Sequence, residues 1–235
     1  DIDGVAIDEL IERFGSPLFV LSEYRLRENA RRLLRSFRTR YPRVRYGWSY
    51  KTNYLNAVCN TLHQEGAWAE VVSEFEYDKA RSLGVPGSRI IFNGPHKPRR
   101  ALEKAVKEGA LIHLDNLDEL FLLEDVARRL QRTVPVGLRL NFDTGYHEAW
   151  SRFGFNVESQ AAHDAARRIA AAGLLKLTGL HSHIGTFVLD PRAYAAQIKI
   201  MGQFMDFAEK ETNAHIEYLD IGGGFASQNA LQGIY

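Results

Sequence analysis

"YGWSYKTNYLNAV", residues 46–58, runs through an apolar, aromatic stretch to a single lysine, Lys51, and then into a polar turn. The residues from Val44 to Tyr50 are rich in aromatic and β-branched types, which favours a strand. Helical character begins near Tyr54, and Asn53 is placed to cap that helix. A strand that turns directly into a helix is the βα unit of parallel sheets, and it puts Lys51 at the strand's carboxyl end. An ammonium in apolar surroundings loses its water and has its pKa pushed down. Two readings of Lys51 follow from this stretch. Either its stem packs while its head reaches solvent, or it is kept as an amine nucleophile at the edge where α/β proteins bind ligands.

The same alternation extends outward in both directions. "PLFVLS", "VRYGWSYK", "AWAEVVS", "RIIFNG", "LIHLDN", "VPVGLRLN", "LTGLHSHIG" and "IEYLDIGGGF" are separated by amphipathic helical stretches, the pattern of βαβ units and a parallel sheet. Asn116 with Glu119 has the spacing of a capping box, Pro98 suits a first helical turn, and "SLGVPGSR" reads as a helix stop and loop. No internal repeat, low-complexity tract or linker marks a boundary within the chain.

With 235 residues, 45% hydrophobic and 25% charged, the chain is long enough for one sizeable core. Its net charge of +1 argues against a global attraction to nucleic acid. The arginine-dense segment "RLRENARRLLRSFRTRYPRVR" carries Leu26, Ala30, Leu33, Leu34 and Phe37 at helical spacing, so its arginines read as a solvated face. The single cysteine, Cys59, excludes an internal disulfide and a cysteine-rich zinc site. The opening "DIDGVAIDELIERFG" is acidic and amphipathic, unlike a secretory leader, and no run approaches a membrane span. The expected location is the cytoplasm, with no membrane or nucleic-acid partner.

Three further clusters carry chemistry. Gly222, Gly223 and Gly224 follow directly on a strand, where backbone N–H groups can converge on an anion without side-chain obstruction. Their spacing is neither a dinucleotide fingerprint nor a Walker motif. "GLHSHIGTF" places His181 and His183 on one face of a strand, either as an H-x-H metal pair or as an imidazole lying against a planar ligand with Thr186 donating to a phosphate. A metal site would need more ligands at other strand ends, where Asp115 and Asp220 stand. Glu70, Glu76, Arg139 and Asn141 put polar groups near other strand ends and need partners or a ligand.

The order of "SYKTN", "VVSEFE", "FNGPHK", "SRFGF", "HSHIGT" and "LDIGGGF" resembles the barrel domain of the fold type III pyridoxal-phosphate decarboxylases, which act on diaminopimelate, ornithine or arginine. "HSHIGT" and "SRFGF" are most similar to the diaminopimelate branch. The resemblance runs from about Pro17 onward and implies an alanine-racemase-like (β/α)8 barrel with pyridoxal 5'-phosphate as cofactor. It implies that Lys51 holds the cofactor covalently, that His183 stacks on its ring, and that Thr186 and Gly222, Gly223 and Gly224 hold its phosphate. Glu70, Glu76 and Arg139 match further cofactor-pocket positions. The implied reaction is loss of the α-carboxylate from an amino acid, meso-diaminopimelate or a related diamino acid, in a homodimer with shared sites.

The chain also departs from the family. Arg152 replaces the usual lysine and Phe187 a common glutamine, and the E-P-G-R strand and the later cysteine, aspartate and tyrosine of the family are absent. In the family the first β-run joins a carboxyl-terminal β-domain, so residues 1–22 are expected to be a lead-in strand and 23–235 a barrel with seven of eight strands. An open barrel exposes a sheet edge, so the chain is expected to be a portion of a longer enzyme. The alternatives are an alanine-racemase-like enzyme, disfavoured by the missing continuation after "KTNYLN", a non-catalytic relative, and a metal-dependent barrel hydrolase.

Overall fold

The computed structural model describes residues 1–226. Its strands are β1 (Gly47–Ser49), β2 (Trp68–Val71), β3 (Ile90–Phe92), β4 (Leu111–Leu114), β5 (Val134–Asn141), β6 (Phe155–Asn156), β7 (Leu175–Ser182) and β8 (Tyr218–Asp220). They form one sheet in the order β1-β2-β3-β4-β5-β7-β8, all parallel, with the two-residue β6 paired to the end of β5. The helices α3 (Asn56–Gln64), α4 (Glu74–Ser82), α5 (Arg99–Glu108), α6 (Leu117–Leu130), α7 (Ala161–Ala172) and α8 (Pro191–Thr212) follow strands in alternation, after α1 (Ile7–Phe14) and α2 (Glu23–Arg38). This is the barrel architecture expected from the sequence, with its seven barrel β-runs in place and β1 and β8 unpaired with each other among the described residues.

Strands covered on both faces read as continuous apolar runs, and β5 and β7 are buried along nearly their whole length. The outer layer seals them with Leu120 and Leu123 of α6, Ile169 of α7 and Met201 and Phe204 of α8. Inside the sheet, Gly179 of β7 makes room for a neighbour, because a Cβ there would lie 2.0 Å from the Tyr218 ring of β8. The arginine-dense helix α2 turns Ala30 inward against Val58, Leu62 and Ala67. Its Arg27 and Arg31 grip Glu65 at 2.8 and 2.6 Å. Those hydrogen bonds, Arg31's first, pull the Glu65 carboxyl down to about 2. Arg27 and Arg31 are thus engaged at the protein's own surface, on the exposed side of a helix whose arginines read as a solvated face.

Several local expectations change. Asn53 does not cap α3: that helix starts at Asn56, and the Asn53 side chain instead accepts from Leu55 N at 3.0 Å, closing a turn. Asn116 does cap α6 by accepting from Glu119 N at 3.0 Å, but the Glu119 carboxylate reaches back to Asp115 N rather than to Asn116. Pro98 stands at the N-cap of α5, one residue before its first turn. Residues 17–22 pair with no strand among the described residues, and Phe19 is 99% exposed. No helix of the described residues is long and apolar enough to cross a membrane.

Candidate active site

The parallel register brings the carboxyl ends of all seven strands to one edge, and the singled-out residues gather there. Lys51 lies two residues beyond β1 in an exposed turn. That turn is fixed by Thr52, whose hydroxyl donates to Ser49 O at 2.7 Å, and by Trp48 Nε1, which donates to Asn53 O at 2.9 Å. The Lys51 ammonium acts electrostatically on Glu70, Glu76 and His183. Burial pushes the carboxyl groups of Glu70 and Glu76 upward, and Lys51 pulls both back. Glu76 also serves the backbone: its carboxylate accepts from Val72 N at 2.8 Å, and its own N–H donates to the Ser73 cap of α4 at 3.2 Å.

Arg139, inside β5, is buried and pairs with Asp115 at 3.0 Å. Its guanidinium lies over the Phe153 ring, 4.8 Å from the centroid. Asn141 holds that ring's segment by donating to Phe153 O and Gly154 O at 2.8 and 2.9 Å. "SRFGF" is therefore a clamp on Arg139.

The two histidines of "HSHIGT" part company. His181 lies within β7 and is buried, while His183 stands just past the strand's end and is half-buried. The His183 imidazole is pushed down to about 4 by burial and by the Lys51 charge. Trp150 stands edge-on to it at 6.1 Å, and Gly223 N lies 3.4 Å from its Nδ1. Gly222 (φ +69°) and Gly224 (φ +81°) occupy the left-handed region, and a Cβ on Gly224 would lie 1.8 Å from Gly185 O. A Cβ on Gly223 meets only open space. The triple glycine thus packs its backbone against the loop after β7 and leaves a hollow beside His183. Thr186 is exposed on that same loop.

His181, His113 of β4 and Asp220 of β8 bring ligand-type atoms within 4.8 Å of one another, the arrangement closest to a metal cluster among the described residues. The two imidazoles are stacked, 14° from parallel with centroids 5.0 Å apart. Their in-plane lone pairs therefore run side by side and do not converge on a single ion. Burial pushes His113 down to about 3, which keeps it neutral. Burial favours protonation of Asp220, but His181, His113 and the Gly222 N–H outweigh it and hold the carboxyl well below its usual range. The cluster is an imidazole and carboxylate floor beneath the edge, with Asp220 Oδ1 accepting from Gly222 N at 2.8 Å.

Residues 27–232 match the profile of the family described as pyridoxal-dependent decarboxylase, pyridoxal binding domain. The chain belongs to the pyridoxal-dependent decarboxylases. It is 30% identical over 233 residues to a diaminopimelate decarboxylase of Methanothermobacter thermautotrophicus, covering 95% of this chain and 53% of the relative. A diaminopimelate decarboxylase of Aquifex aeolicus is 29% identical, with 95% and 54% covered. Among solved structures, the diaminopimelate decarboxylase of M. jannaschii superposes with a TM-score of 0.90 at 27% identity, over 100% of this chain and 57% of that one. A lysine decarboxylase from Selenomonas ruminantium does so with a TM-score of 0.79 at 26% identity, over 94% and 55%. The chain spans about half the length of these relatives.

The residues present fit the family's cofactor, pyridoxal phosphate. The loop that faces His183 has no Cβ to fill the hollow, a hydroxyl stands on its neighbour, and a primary amine stands at the same edge for an aldehyde. Asn93, which follows β3, and His113 join this edge without a signal in the sequence. Asn93 lay within the quoted "FNGPHK", but a lone asparagine carries no spacing signal.

Proposed function

We propose that this pyridoxal-binding domain is the cofactor-holding half of an amino-acid decarboxylase acting on meso-diaminopimelate or a related diamino acid. The observation that carries the reading is the placement of Lys51. Its amine stands at the open sheet edge within electrostatic range of Glu70, Glu76 and His183, beside a glycine hollow. Bound pyridoxal phosphate supplies an electron sink for the pair left behind when a carboxylate departs as carbon dioxide.

The chain's own residues do the rest. Lys51 Nζ would hold the cofactor covalently and, as a free amine, is the group placed to move protons. His183, neutral at ordinary pH, offers a flat face without adding positive charge. Gly223, Gly224 and Thr186 would hold the phosphate with backbone and hydroxyl donors, and Gly222, whose N–H is committed to Asp220, lets the loop pack close without a side chain. Glu70 and Glu76 set the charge around Lys51, and Arg139, clamped by Asp115 and Phe153, offers a fixed guanidinium at the pocket wall. The lead-in run of residues 17–22, apolar and unpaired here, suits a strand of a further β-domain, and the family resemblance supports a cytoplasmic homodimer.

The test is carbon dioxide release by the chain extended to its natural carboxyl terminus, loaded with pyridoxal phosphate and offered meso-diaminopimelate, lysine, ornithine and arginine in turn. Turnover of diaminopimelate at least tenfold above the others supports the reading, and turnover of none of the four overturns it. Gly224→Ala is expected to weaken pyridoxal phosphate binding by at least tenfold. The added methyl collides with Gly185 O and meets a positive φ, so the loop must move. A titration of cofactor against the extended variant checks this.

A further inference from the structure

Beneath the edge, Asn93 joins residues that the sequence leaves far apart. Its backbone N–H extends the ladder past β3 by donating to Val71 O at 2.8 Å, which fixes where the side chain starts. Its Nδ2 lies 3.3 Å from Glu70 Oε1 and 3.0 Å from His181 Nε2, 88 residues along the chain. His181 Nδ1 in turn lies 3.3 Å from Asp220 Oδ1, the oxygen that accepts from Gly222 N. Asn93 and His181 are 6% and 2% exposed, so water does not substitute for these contacts.

The donors and acceptors sort in one way. An amide NH2 has two hydrogens, and two acceptors face it: the Glu70 carboxylate and an imidazole nitrogen. With Nε2 accepting from Asn93, a neutral His181 carries its hydrogen on Nδ1, which stands 3.3 Å from Asp220 Oδ1 as an electrostatic contact outside hydrogen-bonding geometry. Contacts then run from carboxylate to carboxylate, and among the described residues the Asn93 amide is the donor to Glu70, since Ser49 Oγ finds no partner.

We propose that Asn93 is a positioning residue of the cofactor site, holding the Glu70 carboxylate toward Lys51 and, through His181 and Asp220, tying it to the glycine loop at Gly222. The proposal rests on the reading of Glu70 and the glycine loop as parts of a pyridoxal phosphate site. It makes the two ends of that site one unit, in which loosening one end is felt at the other.

The test uses the extended chain with pyridoxal phosphate as probe. It reads the dissociation constant, the circular dichroism that the protein induces in the cofactor's visible band, and the site of borohydride-trapped label. Asn93→Asp keeps the shape but puts an acceptor between two acceptors. It is expected to weaken binding about tenfold, the loss of one hydrogen bond to a charged group, and to collapse the induced dichroism. Glu70→Gln in the same chain restores a donor facing the introduced carboxylate, and the double variant is expected to recover the dichroism of Glu70→Gln alone. A merely structural Asn93 gives no such rescue. Asn93→Asp with unaltered affinity and dichroism overturns the proposal, as does a double variant no better than Asn93→Asp. Asn93→Leu is the apolar companion, and if it fails to fold the two polar variants still decide. Absence of label on Lys51 in the unaltered extended protein is a different failure, because it overturns the cofactor-site reading itself.

Discussion

Lys51→Ala is expected to abolish covalent capture of pyridoxal phosphate and to lower carbon dioxide release by the extended chain on the order of 10³-fold or more, the scale of losing both a nucleophile and a proton-transfer group. The exposed turn that carries Lys51 is held by Thr52, Ser49, Trp48 and Asn53 and not by the lysine itself, so the variant should fold. Lys51→Arg sharpens the test. A guanidinium keeps the positive charge that Glu70, Glu76 and His183 feel, but it stays protonated and does not add to an aldehyde. If the role of Lys51 is electrostatic, arginine preserves activity. If it is covalent, arginine fails as fully as alanine. Borohydride reduction followed by peptide mass spectrometry should find the pyridoxyl group on Lys51 in the unaltered protein and on no residue in either variant. Label at another lysine with activity retained would move the site elsewhere.

The residues that proved legible in the sequence are those whose physical demands are local. Lys51 is conspicuous because a charge ends an apolar strand, and the triple glycine because no other residue tolerates the φ of Gly222 and Gly224 with backbone packed so close. The β-runs from Gly47 to Asp220 could be read because parallel strands buried on both sides are apolar throughout. What stayed hidden depends on contacts through space. Asn93, His181 and Asp220 come from three different strand ends and meet only once the sheet curls. The strand β6 is two residues long, too short for any period to show. Asn53 has the chemistry of a helix cap, but the chain spends two more residues, Tyr54 and Leu55, in the turn before α3 begins, and the same side chain closes that turn instead. Residues 17–22 have strand composition without a partner, and composition alone does not say where a partner is.

Lys97→Met is expected to be among the most destabilising single changes in the fold, by about 3–5 kcal/mol, the range for breaking a buried ion pair. Lys97 is fully buried. Its ammonium donates to both carboxylate oxygens of Glu119 at 2.8 and 2.9 Å, to Gly94 O at 2.7 Å and to His113 O at 2.8 Å. Glu119 also accepts from Asp115 N at 3.0 Å, and Asp115 is the partner of Arg139, so the pair pins β3, β4 and α6 beneath the pocket wall. A buried ion pair replaced on both sides by apolar residues is often neutral or stabilising. Here it should not be, because Lys97→Met with Glu119→Leu strands two carbonyls and one N–H, each costing about 1–3 kcal/mol when left unpaired. The double variant is therefore expected to stay well below the unaltered protein in stability. The pH dependence adds a second signature. Burial already pushes the Glu119 carboxyl up against the pull of Lys97, and without Lys97 its folded pKa rises further above the unfolded value. The folded state then binds more protons than the unfolded one, so stability of Lys97→Met should fall as pH rises through that folded pKa and recover as pH drops below it. Denaturation of the extended chain at pH 5 and pH 8 reads this directly. A double variant within about 1 kcal/mol of the unaltered protein would show that the pair is dispensable, and that Arg139 and Asp115 hold the pocket wall without it.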